Sequence, residues 1–128
     1  MQGKHLYEYA VLRVVPRVER EEFVNMGVVI CCKKENRLTC RINEDLSKIV
    51  ALDTHADLEV IENYLRSFFR ICLGEEAGSP IAKHDATSRF RWLTANRSSM
   101  IQTSRPHVGF TDDLEKELER LYEVLVEA

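Results

Sequence analysis

The chain lacks the signatures of several large classes of protein. No window approaches the roughly 20 consecutive apolar residues that a membrane-spanning helix needs, so no membrane association is expected. The N-terminal stretch MQGKHLYEYAVLRVV is interrupted by Glu8 and Arg13 and has no long apolar core of a signal peptide. These absences predict a cytoplasmic protein. With 128 residues and no internal repeat, linker or low-complexity tract, the chain is expected to form one domain over residues 1–128.

Metal-binding and catalytic motifs are also missing. The four cysteines show no CxxC and no zinc-type spacing with histidine. Cys31 and Cys32 are adjacent, so on a strand their side chains would point to opposite faces. Reduced thiols packed as small apolar residues are the favoured interpretation. The chain has no GxxxxGK[ST], GxGxxG, GxSxG or HExxH pattern. We therefore expect no metal site and no cofactor, and no motif indicates a reaction.

The first third of the chain has the apolar alternation of β-strands. Residues 6–16 predict an interior strand that ends at Pro16, because both of its faces are mostly apolar. A second strand is predicted from Gly27 and a third over residues 37–43, where apolar and polar side chains alternate. Asn36, which suits a positive φ, lies in the turn between them. The second and third strands should form a hairpin.

Helical periodicity dominates the remainder. Asn43 is predicted to cap a short helix, Gly74 to end a long one, and Thr111 or Asp112 to cap the last. Residues 75–80 read as a loop. The other expected features are a third helix over residues 85–95, a short strand over residues 100–104, and breaks at Pro106 and Gly109. This order predicts an α+β fold, a small mixed or antiparallel sheet of about four strands with helices packed on it.

The charge is unevenly distributed along the chain. The net charge is −3, yet residues 13–41 carry seven basic and four acidic side chains, and residues 83–107 carry five and one. The two remaining segments, 42–82 and 108–128, are acidic. An anionic partner is favoured at the basic segments. Alternatively, the acidic helices neutralise the basic strands within the fold. The negative net charge argues against general binding to duplex DNA.

A charged connection, residues 17–26 (RVEREEFVNM), separates the first two predicted strands. It exceeds the 2–5 residues of a plain hairpin loop. Phe23 is expected to anchor it in the core, while Asn25 and Gly27 suit unusual backbone angles or close backbone approach. Its arginines and glutamates could bind phosphate or position a water. They could also form an ion-pair network that stabilises the loop, at about 1 kcal/mol or less per exposed pair.

A second candidate segment spans residues 88–109, SRFRWLTANRSSMIQTSRPHVG. It is rich in arginine, hydroxyl and aromatic side chains and nearly free of acids. Arginines make bidentate contacts to phosphate or carboxylate, and tryptophan can stack on a ring. Three observations argue against a ligand site. Trp92 has the helical spacing of a core residue, and the sequence NRSS is typical of a turn. His107 is most simply a structural histidine.

Together the two segments predict a recognition surface for a protein partner or for a ligand bearing phosphate or carboxylate. Glu19 and Glu22 would orient its arginines. The alternative is a small enzyme of phosphoryl or nucleic-acid chemistry, with Glu19 or Glu22 as base and His107 as acid. That alternative requires both segments to meet in one cleft, with a carboxylate within reach of the histidine. The predicted recognition residues are Arg13, Arg17, Arg20, Asn25, Arg97, Ser98, Gln102, Ser104 and His107.

The same segments carry a family resemblance. The stretches YAVLRVVPRVEREEFVNMGVVICC (9–32) and SRFRWLTANRSSMIQTSRPHVGFTDDLEKELERLYEVLV (88–126) resemble the bacterial family catalogued as domain of unknown function 3037. Met26 departs from it, since a β-branched residue is more usual there. The resemblance implies no particular activity. It implies a protein partner, because genes of this family often neighbour one for a kinase-like protein of the persistence-toxin type.

Overall fold

A computed structural model of the chain describes residues 3–75 and 80–127. The strands within these ranges are β1 His5–Val14, β2 Val24–Cys32, β3 Arg37–Ile42, β4 Ile101–Thr103 and β5 His107–Thr111. The α-helices are α1 Ser47–Leu52, α2 Leu58–Leu73, α3 Ala86–Leu93 and α4 Leu114–Tyr122, the last running into a π-helical turn over Glu123–Glu127. The predicted α+β class is confirmed. Most of the loop predicted over residues 75–80 lies outside the described residues.

The five strands form one antiparallel sheet with β1 in its interior. The order is β3-β2-β1, and β4 and β5 follow one another along the free side of β1. Arg13 lies opposite Gln102 in β4, and Tyr9 lies opposite His107 in β5. Where β1 meets β2, Met26 is the extra residue of a bulge, because Leu12 pairs with Gly27 and Arg13 with Asn25. The prediction of an interior first strand is correct.

Helices cover both faces of this sheet. Alternate residues of β1 point to opposite faces, so Leu12 packs with α2 and α3 while Tyr7 packs with α4. Phe90 of α3 is completely buried on the first face, and Leu118 of α4 is buried on the second. Each such side chain contributes about 1.5–3 kcal/mol of transfer free energy. Across the described residues, no helix is long and apolar enough to cross a membrane.

The β2–β3 hairpin and α2 confirm the strongest local predictions. Asn36 has a φ of 50°, and its side-chain oxygen accepts a hydrogen bond from the backbone N–H of Ala86 at 3.1 Å. The turn thereby holds the start of α3. Gly74 ends α2 with a φ of 77°, and Asp57 caps its first turn by accepting from Val60 at 3.2 Å.

Two predicted helix caps are wrong by a few residues. Asn43 does not cap α1, because its side chain accepts from the backbone N–H of Asp45 at 2.9 Å in a turn before the helix. Asp113, rather than Thr111 or Asp112, caps α4 by accepting from Lys116 at 3.1 Å. Both errors have one cause, since neighbouring Asx and Thr side chains form turns of the same chemistry.

The predicted break at Pro106 is confirmed, because Pro106 lies between the end of β4 and the start of β5. The break predicted at Gly109 is wrong, because β5 runs through that residue. Pro106 directly precedes β5, so its missing backbone N–H removes no hydrogen bond from the sheet. Gly109 lies inside β5 opposite Tyr7, and a Cβ at this position would lie 2.6 Å from the Tyr7 hydroxyl oxygen. Here glycine makes room for the aromatic ring of the neighbouring strand and does not turn the chain.

Candidate anion-binding cleft

The charged connection is shorter than predicted, because β2 begins at Val24 rather than Gly27. It contains a single 3₁₀ turn, Val18–Arg20, and reverses at Glu21, whose φ is 57°. Gly27 lies within β2, where a Cβ would lie 2.7 Å from the backbone oxygen of Arg41. Of the two expected reasons for this glycine, close backbone approach is the correct one.

Phe23 does not anchor the connection in the core. Its side chain is 46% exposed, and the guanidinium carbon of Arg13 lies 4.2 Å from its ring centroid. Phe23 therefore supports a cation at the surface, a geometry that is itself attractive by about 0.5–1 kcal/mol.

The two basic segments meet in one cleft of about 570 Å³. We call it the Arg13–Arg97 cleft. One wall comes from the end of β1 and the charged connection, and the other from β4 and the loop that precedes it. The lining residues are Arg13, Val15, Val18, Glu19, Glu21 and Phe23 on one side and Asn96, Arg97, Ser98 and Gln102 on the other.

The two arginines of this cleft rest on aromatic rings. Arg13 lies on Phe23, and its Nε atom is buried without a hydrogen-bond partner in the described structure. The guanidinium carbon of Arg97 lies 4.6 Å from the ring centroid of Trp92, and this guanidinium donates to the Trp92 carbonyl. Neither arginine forms an ion pair with any residue in the ranges 3–75 and 80–127. Stacked guanidinium groups keep N–H donors at their edges for an incoming oxyanion.

Arg17 and Arg20 lie in a second hollow of about 270 Å³. We call it the Arg17–Asp53 hollow. Arg17 is 3.2 Å from Asp53, and Arg20 is 2.7 Å from Glu22. The His55 backbone N–H and the Arg17 guanidinium hold the pKa of the Asp53 carboxyl below its usual range. The Glu22 carboxylate raises the pKa of Arg20. The ion-pair interpretation of the charged connection therefore describes these two arginines.

Three predicted recognition residues, Asn25, Ser104 and His107, lie outside both the Arg13–Arg97 cleft and the Arg17–Asp53 hollow. Asn25 donates from Nδ2 to the Leu125 carbonyl at 3.1 Å and so fastens β2 to the C-terminal turn. Ser104 is buried; its hydroxyl accepts from the Val11 N–H at 2.9 Å and donates to the Arg105 carbonyl at 3.0 Å. The hydrogen bond with Val11 joins Ser104 to β1 between the pairings of β4 and β5, so the Ser104 hydroxyl lies within the sheet and away from the surface.

His107 does not enter the Arg13–Arg97 cleft. Its ring lies 5.3 Å from that of Tyr9, centroid to centroid. Tyr9 is four residues before Arg13 on β1, which places His107 roughly 13 Å along the sheet from the cleft. Glu19 lines the cleft, and Glu22 lies in the other hollow. The Glu–His pair required by the enzyme alternative is therefore not assembled.

Sequence reasoning missed part of this site. Trp92 is 42% exposed, so the expectation that it lies in the core is wrong, whereas Phe90 and Leu93 are buried as predicted. Phe90 and Leu93 are three residues apart and share a helix face, and Trp92 lies about 100° from Leu93 around the axis. That spacing is the signal that could have placed it at the surface. Nothing in the pattern identified Glu21, which lines the cleft because the chain reverses there.

The cleft contains hydrogen-bond donors that can bind an oxyanion. It also contains two carboxylates, which limit the kind of anion that can enter. Gln102 donates to the Ser99 carbonyl at 2.9 Å, which holds its amide beside Arg13 on the paired strand. Ser98 and Asn96 add a hydroxyl and an amide. Glu19 and Glu21 repel a freely diffusing polyanion but attract N–H donors. A ligand that presents one anionic group among neutral or basic groups suits this mixture.

Comparison with known proteins identifies a family without an assigned activity. The family described as "Protein of unknown function (DUF3037)" matches residues 9–126. No curated protein and no solved structure shows a significant match.

Proposed function

The chain belongs to the DUF3037 family, and we propose that it is a binding module for a protein partner. The Arg13–Arg97 cleft would hold a phosphate or carboxylate group that the partner presents. The module works in the bacterial cytoplasm as an accessory to that partner. The kinase-like protein implied by the family resemblance is one candidate.

The state of the arginines supports this proposal. Arg17 and Arg20 already have carboxylate partners, whereas Arg13 and Arg97 face the same open cleft and rest on Phe23 and Trp92. An oxyanion in the cleft would accept hydrogen bonds from the terminal N–H groups of Arg13 and Arg97, since both side chains line it.

No observation favours the enzyme alternative. Acid–base catalysis needs the two groups within hydrogen-bond reach of one substrate. Glu19 lines the cleft beyond the end of β1, whereas His107 lies on β5 against the ring of Tyr9, nearer the start of β1. Binding is therefore the function that the geometry supports best.

The first test measures binding of inorganic phosphate and of a peptide carrying one phosphoserine by titration calorimetry. Replacing Arg13 and Arg97 by glutamine should weaken peptide binding at least about tenfold, because two charge-assisted contacts are lost. The matched control replaces Arg17 and Arg20 by glutamine and should leave binding within about twofold of the wild type. Equal losses in both double variants would contradict a specific cleft.

The second test addresses the partner. The wild type and both double variants are purified from the native host with a tag, and associated proteins are identified by mass spectrometry. The same partner should accompany the wild type and the Arg17/Arg20 variant and be absent from the folded Arg13/Arg97 variant. A partner retained by all three would exclude the cleft as its binding site.

A further inference from the structure

Strand β5 forms an edge of the sheet and is paired on one side only. It pairs with β1, and no other described strand contacts it. The opposite edge, β3, carries Arg37 and Arg41, whose ion pairs with α4 place charge along that edge. Charged side chains are a common means of preventing edge-to-edge pairing. Residues 107–111 contain no Lys, Arg, Asp or Glu.

The backbone groups that face outward can be identified from the hydrogen bonds of β1. Val11 exchanges hydrogen bonds with Ser104, and Val15 donates to the Met100 carbonyl. Odd-numbered residues of β1 therefore point their N–H and C=O groups toward β4 and β5. Gly109, opposite Tyr7, is consequently hydrogen-bonded inward. The N–H and C=O groups of Val108 and Phe110 point away from the sheet.

The side chains at this edge are apolar and exposed. Val108 is 67% exposed and Phe110 is 69% exposed, and Leu6, opposite Phe110 on β1, is 51% exposed. The three lie side by side on one face. Exposed apolar side chains beside unpaired backbone groups are typical of a strand that pairs with another chain.

The charges that flank β5 are opposite in sign at its two ends. Arg105 precedes the strand, and Asp112 and Asp113 follow it. If two copies of β5 run antiparallel with Gly109 opposite Gly109, Arg105 of each copy lies opposite Asp113 and next to Asp112 of the other. Val108 then lies opposite Phe110 of the second copy. A parallel arrangement would place like charges together, so the pattern selects antiparallel self-pairing.

We propose that the partner of β5 is a second copy of this chain. The two strands pair antiparallel about a twofold axis at Gly109 and join the two sheets into one. Val108 and Phe110 exchange the backbone hydrogen bonds, their side chains meet across the junction, and Arg105 contacts the acidic start of α4 of the other copy. Such a short strand pair buries less area than a permanent interface, so the dimer forms in a concentration-dependent manner. The surface is separate from the Arg13–Arg97 cleft.

Sedimentation velocity on the full chain, from about 1 to about 500 μM, tests this proposal. The wild type should shift from monomer to dimer with rising concentration. Val108→Lys should weaken dimerisation at least about tenfold, since it places a charge against the apolar ring of Phe110 of the second copy and diagonally across from the same charge on that copy. The control Val124→Lys alters a valine that is 57% exposed on the C-terminal turn and should dimerise like the wild type. Circular dichroism confirms that both variants fold.

Charge reversal distinguishes self-pairing from other contacts. Arg105→Asp alone and the double variant Asp112→Arg/Asp113→Asn alone should each weaken dimerisation, because position 105 then meets like charge from the other copy at both ends. The asparagine keeps a side-chain acceptor at the start of α4. A mixture of the two variants should restore the dimer. The new aspartate at position 105 then meets the new arginine at position 112 and a neutral asparagine, and the unchanged Arg105 of the second variant meets Asp112 and Asp113 of the first. A chain that stays monomeric throughout, a Val108→Lys variant that dimerises normally, or a mixture without restoration would each overturn the proposal. Capture by β5 of an extended segment from a different protein, with no dimer, would also overturn it.

Discussion

The Arg13–Arg97 cleft and the Arg17–Asp53 hollow flank the same short connection and use the same residue type. In the hollow, Arg17 and Arg20 lie within 3.2 Å and 2.7 Å of carboxylates. In the cleft, Arg13 and Arg97 lie on aromatic rings instead. An ion pair neutralises the charge that would attract an oxyanion, whereas stacking on a ring leaves that charge unpaired. The difference separates arginines that support the charged connection from the arginines of the proposed binding cleft.

A carboxylate introduced into the Arg13–Arg97 cleft should make Arg13 an ion-paired arginine like Arg17 and Arg20. Gln102 lies opposite Arg13, so Gln102→Glu would give Arg13 an ion-pair partner. We expect affinity for a phosphoserine peptide to fall at least about tenfold, through competition for the guanidinium and repulsion of the phosphate. Titration calorimetry measures the change. Thr54→Glu, in the Arg17–Asp53 hollow, is the matched control and should leave affinity unchanged. Unchanged binding by Gln102→Glu would show that the phosphate does not use Arg13.

Removal of the carboxylate from the hollow should lower stability by a moderate amount that depends on pH. Because the folded pKa of Asp53 is lowered, its stabilising effect is complete above the ordinary carboxyl pKa of about 4 and is lost as pH falls through the folded value. Asn at position 53 cannot ionise.

Thermal denaturation of the wild type and Asp53→Asn checks this expectation. The difference in melting temperature should be largest near neutral pH and shrink as pH falls below about 4. Glu59→Gln, in the first turn of α2, serves as the control for loss of one surface carboxylate. A difference that stays constant down to acidic pH would mean that ionisation of Asp53 does not stabilise the fold.

Truncation of Phe23 should have the smallest effect on stability. Because the side chain is 46% exposed and lies against Arg13 at the surface, Phe23→Ala should cost about 1 kcal/mol or less in free energy of unfolding. Phe90→Ala, at a completely buried position, should cost about 3–5 kcal/mol. Urea denaturation of both variants makes the comparison. Similar losses at both positions would contradict the surface role of Phe23.

The parts of the fold that were predicted correctly are those set by neighbours in sequence. The β2–β3 hairpin follows from alternation and from Asn36, and α2 follows from helical spacing up to Gly74. Strand β5 was not predictable in this way. Gly109 is a turn residue by local propensity, and only the ring of Tyr7 on the adjacent strand explains it.

The candidate site divides in the same manner. The sequence identified both basic segments, and their meeting in one cleft depends on the pairing of β4 with β1. Ser104 and His107 have the same chemistry as the residues that line the proposed cleft, yet Ser104 hydrogen-bonds to β1 and His107 lies against the ring of Tyr9. Side-chain type alone does not distinguish these roles.

By itself the sequence determined the α+β class, the hairpin, the amphipathic helices and the family, because each depends on local periodicity or on a continuous run of residues. The tertiary structure decided which arginines have carboxylate partners. Asp53 reaches Arg17 from 36 residues away, and no carboxylate among the described residues reaches Arg13 or Arg97. Contacts between residues distant in sequence depend on how the strands pair and the helices pack, so only the folded chain shows that Arg17 has a carboxylate partner and that Arg13 and Arg97 lie on aromatic rings.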